Sequence, residues 1–157
     1  MGPCLLRLKV WHAPAPAGFL KRFHDLQVRL DRLRGGPIAA PLAASLDPDG
    51  HPAVLSEFRQ GVPLLDSVRA GTINAANACR ALRLAIEAIR AAHSEGLVHG
   101  AIVPGNVLVQ AESGSTHVLD FGMAALLHPD AGLVSVRRTD RDGLAALARA
   151  VRGLRPR

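Results

Sequence analysis

Residues 96–109, "GLVHGAIVPGNVLV", set His99, Pro104 and Asn106 into an apolar run, and a second run downstream ends in "VLDFGMA", which carries Asp120. Polar side chains of these types have the layout of a phosphoryl-transfer site, with an alanine, Ala101, where the reacting group should stand. A methyl group neither accepts nor orients a proton, and a positioned general base typically contributes about 10²–10⁴-fold to a rate. The same residues also have plainer roles open to them. Asp120 could cap a turn after a strand, Asn106 could bond loop backbone, and His99 could hold the loop from inside.

The elements that must position these residues come from a chain of 157 residues, 48% hydrophobic and 20% charged. That composition suits one globular unit with a substantial core rather than a disordered chain. No run of about 18 uncharged apolar residues exists, so no membrane span is expected. At the start, Arg7 and Lys9 interrupt the only apolar stretch that resembles a signal peptide. Leu6 spoils a myristoylation signal at Gly2. Two cysteines, Cys4 and Cys79, make neither a disulfide framework nor a metal-ligand spacing. A cytoplasmic location is the expectation.

"CLLRLKVW" predicts a short strand, which would leave Lys9 facing solvent from a sheet edge unless a site claims it. Phe19, Phe23, Leu26, Leu30 and Leu33 recur at helical spacing, stopped by Gly35, Gly36 and Pro37. "IAAPLAASL" and "PAVLSEF" flank the turn cluster "DPDGH" and predict a hairpin. "RQGVPLLDSVRAGT" reads as a loop followed by a short helix. Cys79, Leu82, Ile86, Ile89 and His93 predict a long helix buried along that stripe, capped by Thr72 or Asn74 and ended by Gly96. "NVLVQ" and "THVLDF" read as two strands. "DRDGLAALARAVRGL" predicts a last helix with Leu144, Leu147, Val151 and Leu154 on one face. The order is an α+β pattern, with a boundary expected near Gly61 between a strand-rich part, 1–60, and a helical part, 61–157.

In order and spacing, "AIRAAHSEGLVHGAIVPGNVLV" followed by "VLDFGMA" resembles the catalytic loop and metal-binding motif of the protein-kinase superfamily, most like bacterial relatives of the eukaryotic Ser/Thr kinases. The resemblance covers roughly residues 5–151 and implies a two-lobed, truncated kinase-like fold, without the first two N-lobe strands or the glycine-rich phosphate cover and with few C-terminal helices. It places His99 at the catalytic-loop histidine, Asn106 at the metal-binding asparagine and Asp120 at the head of the Asp-Phe-Gly motif. Lys9 becomes the phosphate-binding lysine, Ser56 the gatekeeper, and Glu57 to Arg59 the hinge beside adenine. Mg²⁺ would then sit on Asp120 and Asn106, and ATP on Lys9, Glu57, Arg59, Asn106 and Asp120. Ala101 replaces the catalytic acid and Val103 the lysine usually two residues beyond it. Leu26 stands where the lysine's acidic partner is expected, with Asp25 as the nearest acid. Asp140 resembles the acidic start of the helix after the activation segment.

Three functions follow from this reading. The first is a pseudokinase with weak Mg-ATP binding and a regulatory or scaffolding role toward a protein partner. The second is an active Ser/Thr kinase or small-molecule phosphotransferase; "HG…PGN" is similar to aminoglycoside phosphotransferases, while the six-residue step from His93 to His99 favours the protein-kinase branch. The third rests on charge. Seven arginines in residues 137–157 face only Asp140 and Asp142, so that segment carries +5 of the net +6. It could meet nucleic acid or another polyanion.

Overall fold

The computed structural model describes residues 5–153. Strand β1, Leu6–Val10, pairs antiparallel with β3, Pro52–Glu57, which pairs in turn with β2, Pro41–Leu46. The "DPDGH" cluster makes the β2–β3 turn: the Asp47 carboxylate accepts the amides of Asp49 and His51. Register decides what each face does. Arg7 stands opposite Ser56 and Lys9 opposite Val54, so these side chains share the inner face. Leu6, Leu8 and Val10 share the outer face and stay 43–64% exposed.

Helix α1, Phe19–Leu30, buries Phe19, Phe23, Leu26 and Leu30 as the spacing predicts, then tightens into a 3₁₀ turn at Asp31–Leu33 before the two glycines. A second antiparallel sheet orders β4 (Val62–Pro63), β5 (Val107–Val109) and β6 (Thr116–Val118). All strands of the first sheet precede Gly61 and all strands of the second follow it. A parallel bridge from Ile38 to Val118 ties the two regions together. Helices α2 (Leu64–Arg69), α3 (Ala75–Ser94), α4 (Met123–Leu127) and α5 (Leu133–Gly153) complete the mixed fold.

Four expectations are corrected. The buried face of α3 is Ala78, Ala81, Leu82, Ala85, Ala88, Ile89 and Ala92, while Cys79 is exposed and Ile86 and His93 are half-buried. An alanine face brings the α3 axis close to α5 and β6, and the larger side chains straddle its margin. The loop before α2 contains strand β4, too short to carry a periodic signal. The five-residue α4 follows Gly122 where no helix is expected. Helix α5 starts at Leu133, seven residues before Asp140, so Asp140 lies inside a helix rather than at its start. Of the two candidate caps of α3, Asn74 serves: its side chain accepts the Asn77 amide at 2.8 Å. Cys4, Leu154, Arg155 and Arg157 lie outside the described residues.

Candidate active site

Helix α3 ends at Ser94, and Gly96, with a φ of 73°, turns the chain inward through Leu97, Val98 and His99. His99 is wholly buried. The Ala101 amide donates to its Nδ1 at 3.2 Å, so the ring proton sits on Nε2, which donates to the Leu119 carbonyl at 2.8 Å. Burial is the largest influence on this imidazole and holds its pKa below the ordinary 6.5, against the opposing charges of Asp140 and Asp120. The ring edge meets Phe121 at 5.4 Å.

The loop is held from α5. Fully buried Asp140 accepts the amides of His99 (2.9 Å) and Gly100 (2.7 Å), and a third contact from His93 Nε2 (2.9 Å). Gly100 adopts φ 84°, and a Cβ there would lie 2.9 Å from Ala124 and 3.1 Å from Val136. A side chain is excluded at that position. The backbone at Ala101 is fixed at both ends, since its carbonyl accepts Asn106 Nδ2 at 3.0 Å, while its methyl is exposed. Asn106 closes the 3₁₀ turn Pro104–Asn106, and its carbonyl accepts the Leu119 amide. The loop is hydrogen-bonded on both sides of Ala101, and the side chain it presents there is a methyl.

Asp120 follows β6 with φ 57°, a conformation aspartate tolerates better than most residues. Gly122 then permits a close pass, since a Cβ there would come within 2.8 Å of Leu26 on α1. Asp120 is met from β1 by two cations. Arg7 Nη2 donates to Oδ1, and Lys9 Nζ donates to Oδ2 at 2.9 Å. Arg7 Nε reaches the Ser56 hydroxyl at 3.4 Å, and Lys9 Nζ lies 5.1 Å from the Trp11 ring centre. Burial alone would raise the Asp120 pKa; the Lys9 hydrogen bond and the charges of Arg7 and Lys9 overcome it and hold the carboxyl below its ordinary range.

The structure therefore brings Lys9 to Asp120 and Asn106 to Ala101. It does not bring Glu57 and Arg59 to that cluster. They pair with each other at 2.5 Å and line a separate cavity of about 410 Å³ with Leu30, Arg34 and His117. The Phe58 amide between them donates to the Leu5 carbonyl at 3.0 Å, extending the β1–β3 ladder. Asp25 is exposed and forms no ion pair with Lys9, whose acidic partner is Asp120. Arg7 is the residue that sequence reasoning missed. Its signal was the two-residue strand period, which puts Arg7, Lys9 and Trp11 on one face.

Residues 7–155 match the model of the phosphotransferase enzyme family. The chain belongs to this family. Its relatives include the serine/threonine-protein kinase pkn2 of Myxococcus xanthus, 30% identical over 128 residues, which are 79% of this chain and 15% of that protein. Among solved structures, Rad53 1-466 in complex with AMP-PNP superposes over 93% of this chain and 40% of its own, with a TM-score of 0.68 at 20% identity. The Cydia pomonella Granulovirus kinase, PK-1, covers 75% of this chain and 42% of its own, with a TM-score of 0.57 at 16% identity. The fold is kinase-like, and the chain spans less than half the length of each of these proteins. No helix among the described residues is long and apolar enough to cross a membrane.

By the resemblance set out above, Mg²⁺ would sit on Asp120 and Asn106. Here both oxygens of that carboxylate are hydrogen-bonded to cations. The enclosed space among Arg7, Lys9, Ser56, Asp120 and Phe121 is about 10 Å³, room for about one water, while Arg7 and Lys9 face solvent beyond it. Mg²⁺ keeps several waters and demands octahedral geometry. In this arrangement the donor set does not fit the ion.

Proposed function

We propose that the chain is a catalytically impaired member of its family, a binding module that takes the phosphate end of a nucleotide and works through contact with a protein partner. The observation that carries this reading is Ala101. Its backbone is held by His99 and Asn106, and its exposed methyl stands where a general base would act. The rest of the loop, from Asp140 to Leu119, supports the same reading, because a built loop around a missing acid keeps a surface without its chemistry. Lys9 supplies a point charge suited to phosphate oxygens, and Asp120 holds that charge in place.

Incubating the purified chain with γ-labelled ATP and protein or aminoglycoside acceptors tests this. No label transfer is expected from the wild type, nor from Ala101→Asp alone, because catalytic groups act as a unit and restoring one member returns little. Transfer by the wild type that is lost in Asp120→Ala would overturn the reading.

A further inference from the structure

Two side chains from one strand hold the two oxygens of a single carboxylate. On β1, Arg7 and Lys9 are separated by one residue, so both point to the inner face, and Asp120 sits between their ends. The cluster carries +1: two cations and one anion in a region where Asp120 is only 12% exposed. A dication entering here would meet two positive charges against the single Asp120 carboxylate, so the net field opposes it. A phosphate meets the opposite field. Arg7 has five N–H donors, of which the structure uses one on Nη2 and the one on Nε. Lys9 has three, of which one is used on Asp120. The rest remain for an anion arriving from the open side, where Arg7 is 33% and Lys9 43% exposed.

We propose that the Arg7 guanidinium occupies the place of the divalent cation on Asp120, making this a metal-independent site for the phosphate groups of a nucleotide. Arg7 neutralises phosphate charge as a metal would, with a planar fork that matches two oxygens. Asp120 has exchanged the work of a metal ligand for that of a clamp on one arginine and one lysine head. This rests on the phosphate-binding half of the proposed function and is independent of whether label transfer occurs.

Two measurements on the whole chain test it. The first uses Mn²⁺ alone, followed by the loss of its free spin-resonance signal. The wild type is expected to take up none, whereas Arg7→Met and Arg7→Gln gain a site that disappears when Asp120→Asn is added. Uptake by the wild type that depends on Asp120, or no gain in two folded Arg7 variants, would overturn the proposal. The second compares ATP-induced melting shifts in EDTA and in Mg²⁺. The wild-type shift should be the same in both, and Arg7→Met should bind about tenfold more weakly in EDTA, the loss of one charge-assisted contact. A wild-type shift that needs Mg²⁺, or no shift at all, sinks the assignment, and label-transfer assays stand apart as the test of impairment.

Discussion

At the scale of single residues, the site is governed by groups kept in one charge state. His99 is neutral because burial outweighs the nearby carboxylates, and its two ring nitrogens are committed, one as donor and one as acceptor. The unfolded chain takes up a proton near the ordinary value of 6.5 that the folded His99 refuses. The unfolded state thus binds more protons between the folded and unfolded values, so stability is full above that window and falls as pH drops through it. His117, lowered by burial and by Arg59, adds to the same loss. Asp120 acts at lower pH: its stabilisation is present above 3.8 and is lost as pH falls through its depressed folded value. Urea unfolding between about pH 7.5 and about pH 5.5 should show falling stability, with at most about 1.4 kcal/mol per pH unit for each proton involved. His99→Gln should be less stable throughout yet flatter in this range, and an unchanged slope would remove His99 from the account.

At the scale of elements, Gly143 explains what a glycine does inside a 21-residue helix. A Cβ there would lie 2.5 Å from the Ile102 carbonyl oxygen, so α5 and the loop meet through bare backbone. Alanine is the better helix former by about 1 kcal/mol, yet Gly143→Ala should lower stability by about 1–3 kcal/mol because the loop must move. Chemical denaturation decides the sign. Such close passes were hidden in the sequence, and the reason is physical. The α1 stripe and the β2–β3 hairpin were legible because apolar spacing and turn chemistry are local signals. The burial of α3 was misread by one position because alanine carries little hydrophobic signal, although seven buried residues, five of them alanine, make its face. In the site, the placing of Ala101 in a loop and of Asp120 just after a strand was legible from motif spacing. Arg7 on Asp120, the separate cavity at Glu57 and Arg59, and Asp140 beneath His99 were not, because each is a contact between residues more than 20 positions apart or a choice between faces of a strand.

At the scale of the whole molecule, the excess positive charge gathers on α5. Arg137 is spent internally, donating to the His93 carbonyl at 2.7 Å. Arg138, Arg141, Arg149 and Arg152 are exposed, and at about 100° per residue they fall within about 80° of arc along roughly 21 Å of helix. If this stripe binds a polyanion, affinity for single-stranded DNA should fall with salt at a log–log slope of about −3 for four phosphates. Serine at Arg138 and Arg141 should roughly halve that slope in a fluorescence titration; a slope indifferent to both changes would show that the stripe makes no such contact. The buried face of α5 matters for a different reason. Asp140 binds the amides of His99 and Gly100 from about 40 positions further along the chain. During synthesis those amides have no native acceptor until Asp140 has emerged and its helix has wound. The loop at His99 and Gly100 therefore takes its native shape only after a helix about 40 positions downstream has formed, so its folding cannot keep pace with its own synthesis.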